Sequence, residues 1–337
     1  MVGDYMKKIY ILIITLVFIG IISALLIINS KNKINVDEKL EHINLGEVTH
    51  SAFYAPLYVA IEEGYFKEEG LDLELTLISG ANNVTAAVLS KDIDIGFCGP
   101  EATIYIYNGG EQDFIQSFAG LTKRDGQFIV SRKKIDDFDW NMLKNKEVLG
   151  GRIGGMPLLN FENALKNANI NLEEVKINSS VDFASLTSAF IANTGDFVNL
   201  FEPNATKLEK LGFGYVVASI GEKSGEMPYT AFNAKKSYIE KNWNTIVHFT
   251  NAIDRGLKYV KDNDANTIAN AIINQFPDTS VNDLTSIIER YKTADSWLDN
   301  PYIDETLFKN LEDIIINSGE IKSYVPYTDL IINAYKK

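Results

Sequence analysis

The sequence has little of what metal centres and covalent catalysts need. It contains one cysteine, Cys98, and three histidines in 337 residues. A single cysteine excludes an intramolecular disulfide and a cysteine-rich metal site, and scattered histidines disfavour a histidine-centred one. The hydrolase, nucleotide, zinc and dithiol motifs GxSxG, GxxxxGK(S/T), HExxH and CxxC are all absent. The sequence therefore predicts no catalytic residue, no metal ion and no other cofactor.

Positive charge is also scarce. Lysine and arginine number 32 against 45 aspartate and glutamate residues, which leaves a net charge of -13 at pH 7. An acidic protein repels phosphate backbones, so we expect no nucleic-acid partner. With 46% hydrophobic and 23% charged residues, the composition is that of a globular protein, and its length favours more than one domain.

The longest uncharged apolar run lies near the amino end, at Ile9–Ile28. About 20 such residues in a helix span a hydrocarbon core of about 30 Å. We therefore expect a cytoplasmic segment at residues 1–8, a transmembrane anchor at 9–28 and a polar tether at 29–41. The competing interpretation is a cleaved signal peptide, but no small-x-small cleavage site follows the run. Either way, the rest of the chain is expected outside the cytoplasm, on a single-pass anchor in the cell membrane if the segment is kept.

From His42 onward, strand and helix patterns alternate along the chain. Ile43–Val48 reads as a short strand, Ala52–Phe66 as a helix and Leu71–Ile78 as a strand of period two. This alternation predicts an α/β protein with mostly parallel sheets flanked by helices. We expect two lobes, the first formed by residues 42–122 with the helical tail 236–337, and the second by residues 123–235.

Small or polar residues follow four of the predicted strands where a helix begins. In an open parallel sheet, ligands bind beyond the carboxyl ends of the strands, near helix amino termini. Each junction alone fits routine helix capping, but together they predict a binding cleft between the lobes. The four junctions are Thr49–Ser51, Gly80–Asn82, Gly99–Thr103 and Gly154–Pro157.

These residues resemble a known family. Thr49–Leu75, with its GYFKEEGL turn, resembles the opening of type II periplasmic binding proteins of the aliphatic-sulfonate, nitrate and thiamine-precursor group. Gly80–Tyr105, Leu200–Pro203 and Met227–Asn242 continue the similarity, which covers about residues 43–335. The resemblance implies a two-lobed type II periplasmic-binding-protein fold and the capture of a small molecule for an ABC importer. It implies an ABC permease and its ATPase as partners, and we expect a monomer.

The resemblance also bears on the ligand. Glu101 corresponds to the carboxylate of thiamine-pyrimidine binders, and Glu202 is a second acid expected on the opposite lobe. Two acids facing a cleft disfavour an anion and suit a ligand rich in N–H donors. An amino-heterocycle such as a thiamine pyrimidine precursor is therefore the leading candidate, and an aliphatic sulfonate, taurine or nitrate is the alternative. Glu202 also fits a simpler role at the start of a helix.

Aromatic and junction residues complete the expected site. Rings such as Phe53, Tyr54, Tyr105 and Phe201 can stack on a heterocycle, although core packing explains them equally well. His50 either donates to the ligand or caps a helix. The expected ligand-binding residues are His50, Phe53, Tyr54, Asn82, Pro100, Glu101, Thr103, Gly155, Met156, Glu202 and Tyr229.

Two other classes of function are weighed against a binding protein. Pyrimidine-precursor synthases share the fold that the resemblance implies, but they carry a cysteine-rich motif that Cys98 alone cannot reproduce. A sensory ectodomain would have to signal through another protein, because only eight residues precede the apolar run. We therefore expect a binding protein and not an enzyme.

Overall fold

The computed structural model describes residues 40–151, 153 and 155–335. The predicted anchor Ile9–Ile28 and nearly all of the predicted tether lie outside these residues. Among the residues that the structure describes, no helix is long and apolar enough to cross a membrane.

The first lobe is built on a five-stranded sheet with the strand order β2-β1-β3-β10-β4. Strand β1 pairs in parallel with β2 and β3, whereas β10 runs antiparallel to both β3 and β4. The carboxyl ends of β1, β2 and β3 therefore meet at one edge of the sheet. The strands are β1 (Glu41–Glu47), β2 (Leu71–Leu77), β3 (Ile95–Cys98), β4 (Ile115–Thr122) and β10 (Thr230–Lys235).

The second lobe contains a sheet of the same size with the order β7-β6-β8-β5-β9. Strand β6 is parallel to β7 and β8, and β5 is antiparallel to β8 and β9. Two separate sheets confirm the predicted two-lobed α/β architecture. The strands are β5 (Phe128–Ser131), β6 (Glu147–Leu149), β7 (Lys176–Asn178), β8 (Phe197–Leu200) and β9 (Tyr215–Ser219).

Helices follow most strands and form the carboxyl-terminal tail. In the first lobe they are α1 (Ala55–Glu62), α2 (Tyr65–Glu68), α3 (Ala81–Ser90), α4 (Glu101–Asn108), α9 (Lys236–Lys241), α10 (Trp243–Asp262), α11 (Ala265–Ile272), α12 (Val281–Thr293), α13 (Glu305–Ser318) and α14 (Tyr327–Leu330). In the second lobe they are α5 (Met156–Asn167), α6 (Leu186–Ile191), α7 (Asn204–Lys210) and α8 (Ile220–Ser224). Side-chain caps explain several starts in the tail, because Asp264, Ser280 and Asp304 each accept a backbone N–H from the first turn.

Strand β10 corrects the predicted lobe boundary. The sequence analysis assigned residues 230–235 to the second lobe, but the strand lies between β3 and β4 in the first sheet. The chain therefore returns to the first lobe through residues 225–229, before β10 and not after it. The reason is that alternation marks a strand without indicating its neighbours, which here lie far away in sequence.

The two lobes share one continuous apolar cluster. Met156, Leu159 and Phe201 of the second lobe pack in the same buried cluster as Phe53 and Tyr54 of the first. The lobe faces are therefore in contact.

Polar contacts among the described residues also join the lobes. Ser51 Oγ donates to the carbonyl oxygen of Glu202 at 2.6 Å, close to the ion pair between Arg290 of α12 and Glu202. Elsewhere, Lys166 Nζ of α5 donates to the carbonyl oxygen of Asn317 in α13 at 3.2 Å. The structure thus shows the two lobes closed on each other.

Candidate functional site

Glu101 is a buried acid with an oxygen left unpaired. It is the first residue of α4, reached from β3 through Gly99 and Pro100, and only 5% of it is exposed. Its Oε2 has no hydrogen-bond partner. A Cβ atom on Gly99 would lie 1.9 Å from that oxygen, so the glycine leaves room for the carboxyl group in this position. Burial raises the pKa of Glu101 to about 7. Near neutral pH the carboxyl group can therefore either bind a proton or accept a hydrogen bond from a donor group.

A second buried acid, Asp125, lies in the segment that carries the chain into the second lobe. Its Oδ1 accepts from the backbone N–H of Gln127 at 2.6 Å, whereas Oδ2 makes no well-formed hydrogen bond and the Tyr229 hydroxyl is the neighbouring polar group. Burial raises the pKa of Asp125 to about 8. The sequence analysis did not identify this residue, because an acid between Arg124 and Gly126 has the composition of an ordinary linker.

Tyr229 joins these two acids in one site. It lies in the returning segment, it is 4% exposed, and its hydroxyl neighbours the Asp125 carboxyl group without a well-formed hydrogen bond. Burial raises the pKa of Tyr229, and the nearby Asp125, Tyr54 and Glu101 raise it further. The fold therefore brings Glu101, Asp125, Tyr54 and Tyr229 together between the lobes.

Phe53 and Tyr54 line the same region as packed rings. The Phe53 ring centroid lies 5.8 Å from that of Phe201 and 5.8 Å from that of Tyr229, so it bridges the lobes. Tyr54 meets Phe97 edge-on at 4.4 Å between centroids. Both side chains belong to the core, where the Phe53 ring lies against Gly126, the residue after Asp125.

His50, expected as a possible donor to the ligand, has other partners. Its Nδ1 lies 2.7 Å from Glu47 Oε1, and its Nε2 lies 2.8 Å from the carbonyl oxygen of Gln275. The hydrogen bond to Glu47, a buried carboxylate, raises the pKa of His50. Neither ring nitrogen is left for a ligand in this arrangement, in which His50 ties the end of β1 to the residues after α11.

Glu202, expected as the second ligand carboxylate, is also occupied. It forms an ion pair with Arg290 and accepts from Thr206 N at 2.9 Å and Thr206 Oγ1 at 3.0 Å. Burial raises the pKa of Glu202, while Arg290 and the Thr206 hydrogen bonds oppose that change. Glu202 thus has the simpler role, at the start of α7, and Asp125, not Glu202, is the second buried acid near Tyr229.

The remaining expected residues divide between the site and its framework. Pro100 is the residue before α4, and Thr103 Oγ1 donates to its carbonyl oxygen at 2.8 Å, so both fix the turn that carries Glu101. Gly155 is the N-cap residue of α5, and Met156 is buried between the lobes. Asn82 is exposed on α3, where it donates to Asn83 Oδ1 at 3.2 Å, and is not buried with Glu101.

The sequence profile of the family described as NMT1/THI5 like matches residues 52–266. YtlA of Bacillus subtilis (strain 168), provisionally named a binding protein, is 42% identical over 296 residues, which are 88% of this chain and 89% of YtlA. The chain belongs to the NMT1/THI5-like family. Across the described residues, no group of three or more histidine, cysteine, aspartate or glutamate side chains is placed to hold a metal ion.

Solved structures show that this NMT1/THI5-like protein has a periplasmic-binding-protein fold. The alkanesulfonate-binding protein SsuA of Xanthomonas axonopodis, bound to MOPS, superposes with a TM-score of 0.65 at 13% identity, over 86% of this chain and 97% of that one. A Candida albicans protein with the generic periplasmic binding protein fold gives a TM-score of 0.66 at 14% identity, over 87% and 96%. The resemblance drawn from the sequence is thus confirmed.

Proposed function

We propose that this chain is the extracytoplasmic substrate-binding component of an ABC importer. It captures a small amino-substituted heterocycle between its lobes, with a thiamine pyrimidine precursor as the leading candidate. It delivers this ligand, chemically unchanged, to a permease driven by an ATPase. The apolar run Ile9–Ile28 holds it at the membrane as a single-pass anchor. The family and the fold support the general role, and the site supports the class of ligand.

The pair of unpaired acid oxygens is the observation that carries the ligand class. Glu101 Oε2 and Asp125 Oδ2 are both buried without a well-formed hydrogen bond, although the Tyr229 hydroxyl neighbours Asp125. The arginines next in sequence and across the lobes do not neutralise them, because Arg124 pairs with Glu226 and Arg290 with Glu202. With pKa values of about 7 and about 8, both acids keep much of their protons near neutral pH in the absence of a ligand. N–H donors satisfy both oxygens and favour the ionised form, whereas an anion brings no donor and disfavours ionisation. A hydrogen bond to the ionised carboxylate contributes about 1.5–3 kcal/mol, part of which offsets the cost of ionisation.

The aromatic rings around the acids favour a flat ligand. Tyr54 and Tyr229 lie close to Glu101, and Phe53 and Phe201 pack beside Tyr229. Aromatic rings stack on heterocycles and at the same time exclude water, which strengthens the hydrogen bonds of the neighbouring acids. An amino-heterocycle combines a ring for these side chains with N–H donors for the two carboxyl groups.

Calorimetric titration with an aminopyrimidine and with an alkanesulfonate tests this function. We expect the wild type to bind the aminopyrimidine and Glu101→Gln to bind it at least about tenfold more weakly, since about 1.4 kcal/mol corresponds to one decade. Glu305→Gln is the matched control, because Glu305 is also the first residue of a helix but is exposed. Micromolar binding of the sulfonate, with no binding of the aminopyrimidine, would contradict the proposal.

A further inference from the structure

Three fully buried carboxamides lie at the interlobe end of the second sheet. Gln127 precedes β5, Asn160 is in the second turn of α5 and Asn199 is in β8, and each is 0% exposed. Both side-chain polar atoms of Gln127 and of Asn199 lack a hydrogen-bond partner, as does Asn160 Oδ1. Only Asn160 Nδ2 is paired, with the carbonyl oxygen of Met156 at 3.1 Å.

Strand register places these amides on one face of the sheet. Ile129 of β5 is directly opposite Asn199 of β8, and Gln127 lies two residues before Ile129, so all three side chains share a face. Ile129 packs in one cluster with Phe161 of α5, so α5 covers this face, and the start of α5 carries Asn160. Gln127 follows Asp125 by two residues and its backbone N–H binds Asp125 Oδ1, so this end of the amide-bearing face adjoins one of the buried acids.

The fold pairs a comparable amide elsewhere. Asn233 of β10 is also fully buried in a strand. Its Nδ2 donates to the carbonyl oxygen of Ala231 at 2.7 Å, and its Oδ1 accepts from Ser117 Oγ at 2.6 Å. Buried polar groups in folded proteins nearly always have partners, and those without one destabilise the fold. The unpaired amides of the second lobe thus differ from the paired amide of Asn233.

We propose that Gln127, Asn160 and Asn199 form an amide subsite for an uncharged substituent that both donates and accepts hydrogen bonds. Carboxamides offer both kinds of atom and no charge, so they match a hydroxyl or amide group better than an ion. The inference rests on the proposed binding function and adds a second recognition point to the same site. The ligand then directs its N–H donors to Glu101 and Asp125, and its neutral polar group to the second lobe.

Two probes that differ in one group test the subsite. The probes are aminopyrimidine and its hydroxymethyl derivative, titrated by calorimetry into the full-length protein. We expect the wild type to bind the hydroxymethyl compound about tenfold more tightly than aminopyrimidine. Asn199→Leu and Gln127→Met, which keep the approximate shape, should abolish this preference, whereas Glu101→Gln should weaken both probes and keep it. A preference that is absent from the wild type, or that survives both amide variants, overturns the subsite.

Thermal unfolding without ligand provides a second measurement that needs no binding. Asn199→Leu removes unpaired polar atoms, so the melting temperature should stay the same or rise. Asn233→Leu is the matched control, and it should lower the melting temperature because it breaks existing hydrogen bonds. If Asn199→Leu lowers it as much as Asn233→Leu does, Asn199 is a structural amide and the inference is wrong. If neither probe binds the wild type, the proposed ligand class fails, and this unfolding comparison alone decides the subsite.

Discussion

At Glu101, burial without a partner should make protein stability depend on pH. In the folded protein the pKa of Glu101 is about 7, whereas its ordinary value is 4.5. Between these values the folded state binds more protons than the unfolded state, so the free energy of unfolding falls as pH rises. A shift from 4.5 to about 7 corresponds to about 3 kcal/mol.

Urea unfolding of the ligand-free protein at about pH 5 and about pH 8 measures this effect. Relative to the wild type, Glu101→Gln should raise the free energy of unfolding at about pH 8 by up to about 3 kcal/mol, and by much less at about pH 5. The exposed Glu305 again gives the control, since Glu305→Gln should follow the wild type at both values. Equal effects of Glu101→Gln at the two pH values would show that Glu101 is ionised throughout.

His50 should stabilise the fold without contributing to binding. Its pKa is raised above 6.5 by Glu47, so the stabilising pair is fully formed below that value and is lost as pH rises through the folded pKa. His50→Ala should lower the free energy of unfolding by about 2 kcal/mol at acidic pH, since Glu47 loses a charged partner. Aminopyrimidine affinity, measured by calorimetry, should stay within about twofold of the wild type. A tenfold loss of affinity at unchanged stability would return His50 to the binding site.

Residue types in the sequence indicate candidate ligand-binding residues, but the hydrogen-bond and ion-pair partners in the folded structure decide their roles. The resemblance selects Glu101, an acid between a strand and a helix, and the structure buries it there. The same reasoning selects Glu202, yet Arg290 lies 88 positions away in sequence and no local pattern reveals the pair. The sequence analysis does not identify Asp125 and the three amides for the same reason, because an unpaired atom is a property of the packed structure.

At the scale of elements, strands with one exposed face are the easiest to predict. Strand β2 alternates at period two and appears where the sequence predicts it. Strand β4, not predicted from the sequence, is buried along all 8 residues, so its polar residues do not mark an exposed face. They are paired across the sheet instead, as in the hydrogen bond between Ser117 and Asn233. Strand β9 is a short edge strand whose pattern is equally unclear.

The crossing of α1 and α10 positions the aromatic part of the site. Phe53 and Tyr54 immediately precede α1, and Gly256 of α10 lies against Pro56 of α1. A Cβ atom on Gly256 would lie 2.1 Å from the carbonyl oxygen of Pro56, a backbone atom that cannot move alone. Gly256→Ala should therefore separate the helices, lower the free energy of unfolding by about 1–3 kcal/mol and weaken aminopyrimidine binding.

Urea unfolding and calorimetry measure these two effects of Gly256→Ala. Lys258→Ala is the control on the same helix, because Lys258 is exposed and its replacement adds nothing to the helix contact. Since alanine also favours helix over glycine, a more stable Gly256→Ala protein would show that the contact relaxes without strain. That result would contradict the role of Gly256.

At the scale of the whole molecule, contacts between the lobes stabilise the closed arrangement. Arg290 of α12 pairs with Glu202 and, at 2.8 Å, with Glu209, so one side chain of the first lobe holds two acids of the second. Ser51 adds a hydrogen bond to the same region. A binding protein must open to admit its ligand, so this cluster opposes opening and biases the balance between open and closed forms.

Removing Arg290 should therefore shift the ligand-free protein toward the open form. Breaking a buried ion pair by losing one partner is strongly destabilising, and opening relieves it by returning Glu202 to water. In solution scattering, ligand-free Arg290→Met should have a larger radius of gyration than the wild type, and saturating aminopyrimidine should reduce it to the wild-type bound value. Its affinity should fall by about tenfold, because binding must first restore the closed form. Lys261→Met, which removes an exposed ion pair with Asp299 within the first lobe, should change neither quantity. If Arg290→Met scatters like the wild type with and without ligand, this cluster does not control closure.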